Sequence, residues 1–567
     1  MKFSEMKYER PNKAQLIERM KDCIARFRDA ASFEEAKAVF LEWDENERHV
    51  HTLRTLADIR NSIDTRDAFY EAEEKWWNET GPELQEFGQL WQKALVDSPF
   101  RKELEKEFGK IIFTNAEIAL KAFSPEIISE MQQENDLVTA YEKLIASAQI
   151  PFEGKTYTIS QMAPFRNDAD DTRRLAAWKA TGQWFKEHQE ELDRLYDELV
   201  HLRDAMGRKL GYDGYTELGY YRMSRNCYDK TDVEKFRKAV VEYLVPVAEK
   251  IRRAQAERTG KAWPLSYSDM ALEFKSGNPK PAGGVKEIVE AGKRFYDALS
   301  PETSDFFNGM IENGMMDLES KEGKRAGGYM TEIFDYKTSF IFANFNGTQH
   351  DVEVVTHEAG HAFAGYMNYD RVPLSTTLPT MEACEVHSMS MEFFGWKSAE
   401  DFFGADTKKF LYSHLTGSIL FIPYGTLVDH FQHVMYEKPD LSPKERHAEW
   451  KRLQQIYMPW VNLDGDIPFY ADGEAWQQQL HIYVHPFYYI DYCLAQTVAL
   501  SFWAMIQEDE NKAWEKYMAY TRLGGSLTFT ELLEKAGLQT PFGGEMLKQV
   551  CERATAWLDD YDLEGVL

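Results

Sequence analysis

Two imidazoles four residues apart, with a carboxylate directly after the first, stand in VVTHEAGHAF (354–363): His357, Glu358 and His361. On a helix, positions i and i+4 lie one above the other on the same face, so both histidines can hold one ion. Zinc accepts imidazole nitrogen at about 2.0–2.1 Å and favours four-coordination. Glu358 stands a step round the helix, placed to take a proton from a metal-activated water rather than to bind the metal. The metal lowers that water's pKa toward about 7, which makes a nucleophile at neutral pH. Ten of the 14 histidines lie between 350 and 485, which concentrates the signal here.

A catalytic site with three protein ligands and an open position needs one more ligand. A metzincin continuation requires glycine at 364 and histidine at 367; the chain has Ala364 and Met367. A downstream carboxylate is the other route. TMEACEVHSMSMEFFGW (380–396) places Glu382, Glu385, Met389 and Glu392 along one helical stripe among apolar neighbours. Carboxylates on a half-buried helix are costly unless paired or bound to metal. Glu385 reads as the third ligand, with Glu382 its competitor. Glu392, two turns on, is placed to orient a ligating histidine. His387 lies on a different face from Glu385.

Further on, HIYVHPFYYIDYCLAQ (481–496) packs two histidines and four tyrosines into twelve residues. Amide hydrolysis builds negative charge on the carbonyl oxygen, and a preorganised donor aimed at it lowers the barrier by about 3–4 kcal/mol. His481, His485, Tyr488 and Tyr492 recur at i, i+4, i+7 and i+11, which predicts one continuous helical face lining a cleft opposite the metal. Packing alone is the competing reading of such an aromatic stripe.

The elements that must position these groups are mainly helical. Ser32 followed by Glu35 predicts a capping box opening SFEEAKAVFLEW. Pro125 sits where a first helical turn tolerates it. Gly81-Pro82 and Ser98-Pro99 are expected to punctuate helices. IPFEGKTYTIS (150–160) alternates around Glu153-Gly154 and reads as a short hairpin. Amphipathic helices resume from DADDTRRLAAW onward. KSGNPKPAGG (275–284) reads as a surface loop. KRAGGYMTEIFDYKTSFIFANFNG (324–347) reads as two strands, the second leading through Asn346-Gly347 into the histidine helix. An exposed edge of SFIFANFNG, at Phe342 and Ala343, could pair with a peptide backbone by strand addition; an interior strand fits the residues equally.

Composition narrows the class. The 567 residues are 43 % hydrophobic and 28 % charged, an ordinary globular composition long enough for more than one domain. A net charge of −28 makes nucleic acid and anionic membranes poor partners. No signal-peptide h-region or apolar membrane span is present in the sequence. The five cysteines, Cys23, Cys227, Cys384, Cys493 and Cys551, are scattered and never in a CxxC pair, which suits a reducing, cytoplasmic setting.

HEAGH followed by EVHSMSME resembles the M3 family of zinc oligopeptidases, and KRAGGY…FIFANFNGTQHDVEVVTHEAGHAF is similar to its bacterial oligoendopeptidase F branch. The resemblance covers the C-terminal two-thirds. It implies a mainly α, zincin-type fold with two helical halves around a deep channel and a small sheet beside the metal helix. It divides the chain into 1–205, covering the channel, and 206–567, carrying the catalytic site. It implies one Zn²⁺ held by His357, His361 and Glu385, Glu392 behind them, and Glu358 as base. His481 and Tyr488 would be the oxyanion donors; which tyrosine serves is open, because the spacing departs from the mammalian members. His485, Tyr489, Tyr492, Gly327 and Gly328 would grip the substrate backbone. The implied activity is cleavage of internal bonds in short unfolded peptides. A zinc carboxypeptidase of similar fold and a non-catalytic zinc-containing peptide-binding module are the rivals. The first needs a cation for the terminal carboxylate, and the second has no use for Glu358.

Overall fold

The N-terminal helices form because each start is capped and each apolar face has a partner. The computed structural model describes residues 1–565 other than 322, 326 and 464. Helix α1 spans Lys13–Arg28, α2 Phe33–Ile63, α3 Ala68–Val96, α4 Arg101–Phe108, α5 Ile111–Ala122 and α6 Ile128–Ala146. Ser32 caps α2 by accepting from the Glu35 N–H at 3.3 Å, while the Glu35 carboxylate reaches back to the Ala31 N–H at 2.9 Å. The expected box is therefore closed one residue earlier. Asp67 caps α3 through the N–H groups of Phe69 and Tyr70. Gly81-Pro82 does not break α3, which runs through it. Its far end is held by packing: Trp91 stacks on Trp43 of α2 at 4.4 Å and 5°.

Parts of α1 to α5 share a smaller apolar cluster built around Phe27, Phe40, Trp43, Trp91 and Phe113, while Leu56 and Ile59 of α2 reach the large core. From α6 onward the chain joins one large core. Residue 205 lies inside the helix Gln189–Lys209, whose Leu192, Leu195, Tyr196 and Leu199 belong to that large core. The expected boundary at 205 thus falls inside a helix.

Strands β1 (Ile150–Phe152) and β2 (Lys155–Tyr157) form the expected hairpin. Its central residues Glu153 and Gly154 have φ of 47° and 77°, the left-handed pair that a two-residue type I′ turn demands. The second sheet has the order β3-β5-β4, with β3 Met316–Glu319, β4 Tyr329–Ile333 and β5 Thr338–Phe345. Residues 316–319 were not expected as a strand; four residues carry too little periodicity to register. β5 runs parallel to β3 and antiparallel to β4. It is therefore the central strand, apolar on both faces because both are covered. The edge expected at Phe342 and Ala343 does not exist: these residues are 0 % and 1 % exposed, with Phe342 paired on both sides.

β5 delivers the chain into the helix Gln349–Tyr366, which carries HEAGH. Gly347 turns the corner at φ 82°. Asp351, in the first helical turn, accepts from the N–H groups of Asn346 and Gly347. A second helix, Met381–Phe394, carries EVHSMSME, and a 31-residue helix, Thr407–Glu437, packs alongside. The segment 275–284 is a loop, as expected. No helix among the described residues is long and apolar enough to cross a membrane.

Candidate metal centre

The two helices that carry the candidate ligands touch at a glycine. A Cβ on Gly360 would lie 2.7 Å from Ser388 Cα and 2.9 Å from the His387 carbonyl oxygen. The fourth letter of HEAGH is therefore the contact that lets the Glu385 helix come within reach of the histidines. Gly360→Ala forces backbone against backbone; we expect a loss of about 1–3 kcal/mol of stability, read as a lowered denaturant midpoint together with weaker metal retention.

His357 Nε2 and His361 Nε2 each stand 3.3 Å from Glu385 Oε2. These three residues form a group whose ligand atoms lie within 4.8 Å of one another. Tetrahedral ligands about 2.0–2.1 Å from a zinc ion are separated by about 3.3 Å, so the donor set and both measured separations fit such an ion. Glu385 is only 3 % exposed. Burial pushes its carboxyl up, but His361 and His357 outweigh this and hold it well below the usual range. Its remaining bonds come from Ser388 Oγ at 3.1 Å and the Tyr488 hydroxyl at 2.9 Å.

The competitor Glu382 points elsewhere. It accepts from Thr380 Oγ1 at 2.7 Å, and burial, then neighbouring Asp491, push its carboxyl up to about 8. His387 is buried with both ring nitrogens unpartnered, and burial pulls it down to about 3. Both remain outside the ligand cluster.

Glu392 stands where the sequence places it and does more than expected. Its Oε1 lies 2.7 Å from His357 Nδ1 and its Oε2 2.9 Å from His414 Nε2. Burial opposes ionisation, yet these two imidazoles bring the carboxyl down to about 2. The indole of Trp396 donates to His414 Nδ1 at 2.9 Å. Indole N–H only donates, so His414 carries its proton on Nε2 and gives it to Glu392. His357 then donates from Nδ1, which leaves the Nε2 lone pair on the Glu385 side, available to a metal ion. His414 and Trp396 escaped the sequence reading: His414 reaches Glu392 from another helix, and Trp396, just past the end of Glu392's own helix, reaches His414, a pattern no motif encodes. We expect Glu392→Ala to weaken metal affinity by about 10–100-fold, measured as faster zinc loss to a chelator, with secondary structure unchanged.

Glu358 is half-buried. Burial raises its carboxyl above the usual range against the pull of His357 and His361, which suits a group that must accept and return a proton.

The His/Tyr segment is not one helical face. A short helix, Leu480–Val484, ends at His485, and a new one starts at Tyr489. Pro486 disfavours helical backbone at His485, and Phe487 adopts φ 69°. Arg225 Nη2 donates to the Phe487 carbonyl, and the Phe487 N–H donates to Gln432 Oε1 at 2.9 Å. The bend nonetheless gathers the expected rings: His481 lies 5.7 Å from Tyr488, 5.0 Å from Tyr489, 5.9 Å from Tyr492 and 6.4 Å from His485. The rings of Tyr488 and Tyr492 lie 4.9 Å apart. Gln479 accepts from Tyr424 and donates to His481 Nδ1 at 2.9 Å. His481 Nε2 thus carries the proton, and burial, which pulls this imidazole down to about 4, keeps it a neutral donor.

Gly327 and Gly328 are exposed at the start of β4, the outer strand, while Phe342 and Ala343 are withdrawn into the sheet. A cavity of about 580 Å³ opens between α2, α3 and α5 on one side and Thr380, His485 and Tyr488 on the other. It lies where the expected channel between the two halves would run.

With this geometry in hand, the likenesses to known proteins fall in place. The model of the peptidase M3 N-terminal domain matches residues 3–123, and that of peptidase family M3 matches 294–551. The N-terminal match ends just past α5. A crystal structure assigned provisionally to oligoendopeptidase F is 45 % identical with a TM-score of 0.95, over 99 % of both chains. PZ peptidase A, solved with an inhibitor, is 43 % identical with a TM-score of 0.95, over 99 % of this chain and 100 % of its own. Oligopeptidase PepF of Bacillus subtilis is 21 % identical over half of this chain, a match that spans 42 % of that protein's length. The chain belongs to peptidase family M3, in its oligoendopeptidase F branch.

Proposed function

We propose that the chain is a zinc-dependent endopeptidase that hydrolyses internal bonds of short unfolded peptides in the cytoplasm. The observation that carries this reading is the convergence of His357 Nε2, His361 Nε2 and Glu385 Oε2 beside a half-buried Glu358. These three side chains would hold the ion. A divalent metal in such a set polarises a carbonyl and acidifies water. Glu358 takes the proton from the attacking water and delivers it to the departing amine nitrogen. His481, through Nε2–H, and Tyr488, through its hydroxyl, donate to the carbonyl oxygen as negative charge develops there. Tyr488 rests on Glu385 until a substrate carbonyl draws it away. Glu392 keeps His357 in the tautomer that offers Nε2. Gly327, Gly328 and the outer edge of β4 take the peptide backbone by strand addition, with His485, Tyr489 and Tyr492 along the opposite wall. The cytoplasmic placement rests on the cysteine pattern alone.

Mass-spectrometric product mapping of a mixed peptide library tests the reading. Internal cuts are expected. Release of single residues from the C-terminus alone would favour the carboxypeptidase alternative, and intact peptides the non-catalytic one.

A further inference from the structure

The cavity beside Tyr488 contains one charge without a partner. Behind its wall lies the packed core of Phe40 and Trp43 of α2 and Trp91 of α3. The other ionic groups on its lining are committed. Asp44 pairs with Arg48 at 2.9 Å and accepts from the Leu374 N–H. Arg222, on the far side, is tied to Glu134 at 2.8 Å and to the Tyr215 hydroxyl at 3.2 Å. His485 is kept toward its neutral form by burial, then by Arg203. Glu47, one turn after Trp43 on α2, reaches the same space exposed and makes no hydrogen bond or ion pair among the described residues. A docked cation would pair with this carboxylate.

We infer that Glu47 is a substrate subsite for a positively charged group of the peptide, an amine or guanidinium. The inference rests on the peptidase reading, because Tyr488 lines the same cavity and its hydroxyl is 2.9 Å from Glu385. An unpaired carboxylate in a cavity beside the candidate catalytic tyrosine suits such a cation by charge and by hydrogen bonding. Two sources supply this chemistry: a lysine or arginine side chain, or the peptide's own N-terminal ammonium.

The test uses quenched fluorescent peptides with a constant scissile core. Lys, norleucine or Glu is placed at successive positions on either side, with a free or acetylated N-terminus. We expect kcat/KM to favour Lys over norleucine by about tenfold at one position, with Glu poorest. If the preference follows the free amine and vanishes on acetylation, the ammonium is the bound group. In Glu47→Gln the Lys-to-norleucine ratio should fall to about one, and in Glu47→Lys the order should invert toward Glu. The inference is overturned if the parent cleaves all these peptides alike, or if the preference survives in Glu47→Gln; either result leaves the peptidase reading intact. A parent that cleaves none of them sinks that reading, and this subsite with it.

Discussion

Glu358→Gln should retain its metal and lose peptide hydrolysis by about 10³–10⁴-fold in kcat. A positioned general base contributes up to about 10⁴-fold, and Gln keeps the size and polarity of Glu while accepting no proton at neutral pH. Glu358 makes none of the contacts that define the ligand set, which are carried by His357, His361 and Glu385. Its replacement therefore separates proton transfer from metal binding. Stopped-flow cleavage of a quenched peptide, with metal content measured on the same sample, checks both halves. A variant that still holds zinc and cleaves as fast as the parent removes the base from the mechanism.

Tyr488→Phe carries the second large expectation. Loss of one oxyanion donor costs about 10²–10³-fold in kcat. The hydroxyl also bonds Glu385 Oε1 at 2.9 Å, so two roles are available and they predict different data. An oxyanion donor, once removed, leaves KM and metal content near those of the parent while kcat collapses. A residue that only orients the ligand carboxylate leaves metal affinity lowered, and activity returns with added zinc. We expect the first pattern. Tyr492, whose ring lies 4.9 Å from that of Tyr488, gives the comparison variant. Tyr492→Phe should be the milder of the two.

What was legible in the sequence follows from what helical periodicity can carry. His357 and His361 share a face because four residues make about one turn, and the acidic stripe of the next helix included the residue that meets them. Glu385 and Glu382 both lie on that stripe, and the sequence favours Glu385; in the fold Glu382 accepts from Thr380 Oγ1 instead. The line from Glu392 to His414 and Trp396 is tertiary and leaves no pattern in one dimension. The His/Tyr segment shows the opposite case. Pro486 already argued against a continuous helix, yet the i, i+4, i+7, i+11 spacing outweighed it in the reading. The rings still converge because Arg225 and Gln432 hold the bend at Phe487. β5 was ambiguous for a physical reason: a strand apolar on both faces reads alike as an edge lying in a cleft or as the centre of a covered sheet. The glycine of HEAGH was legible as a letter but not as a cause. Its role, the close approach of Ser388 and His387, appears only when the two helices are placed together.

The proposed catalysis depends on three side chains from two crossing helices holding one dication. Metal analysis of the purified chain beside its Glu385→Ala variant tests this most directly. The account predicts one zinc per parent chain, the same stoichiometry in Glu358→Gln, and almost none in Glu385→Ala after dialysis against a mild chelator. Full zinc occupancy in Glu385→Ala, with peptide cleavage intact, would contradict it.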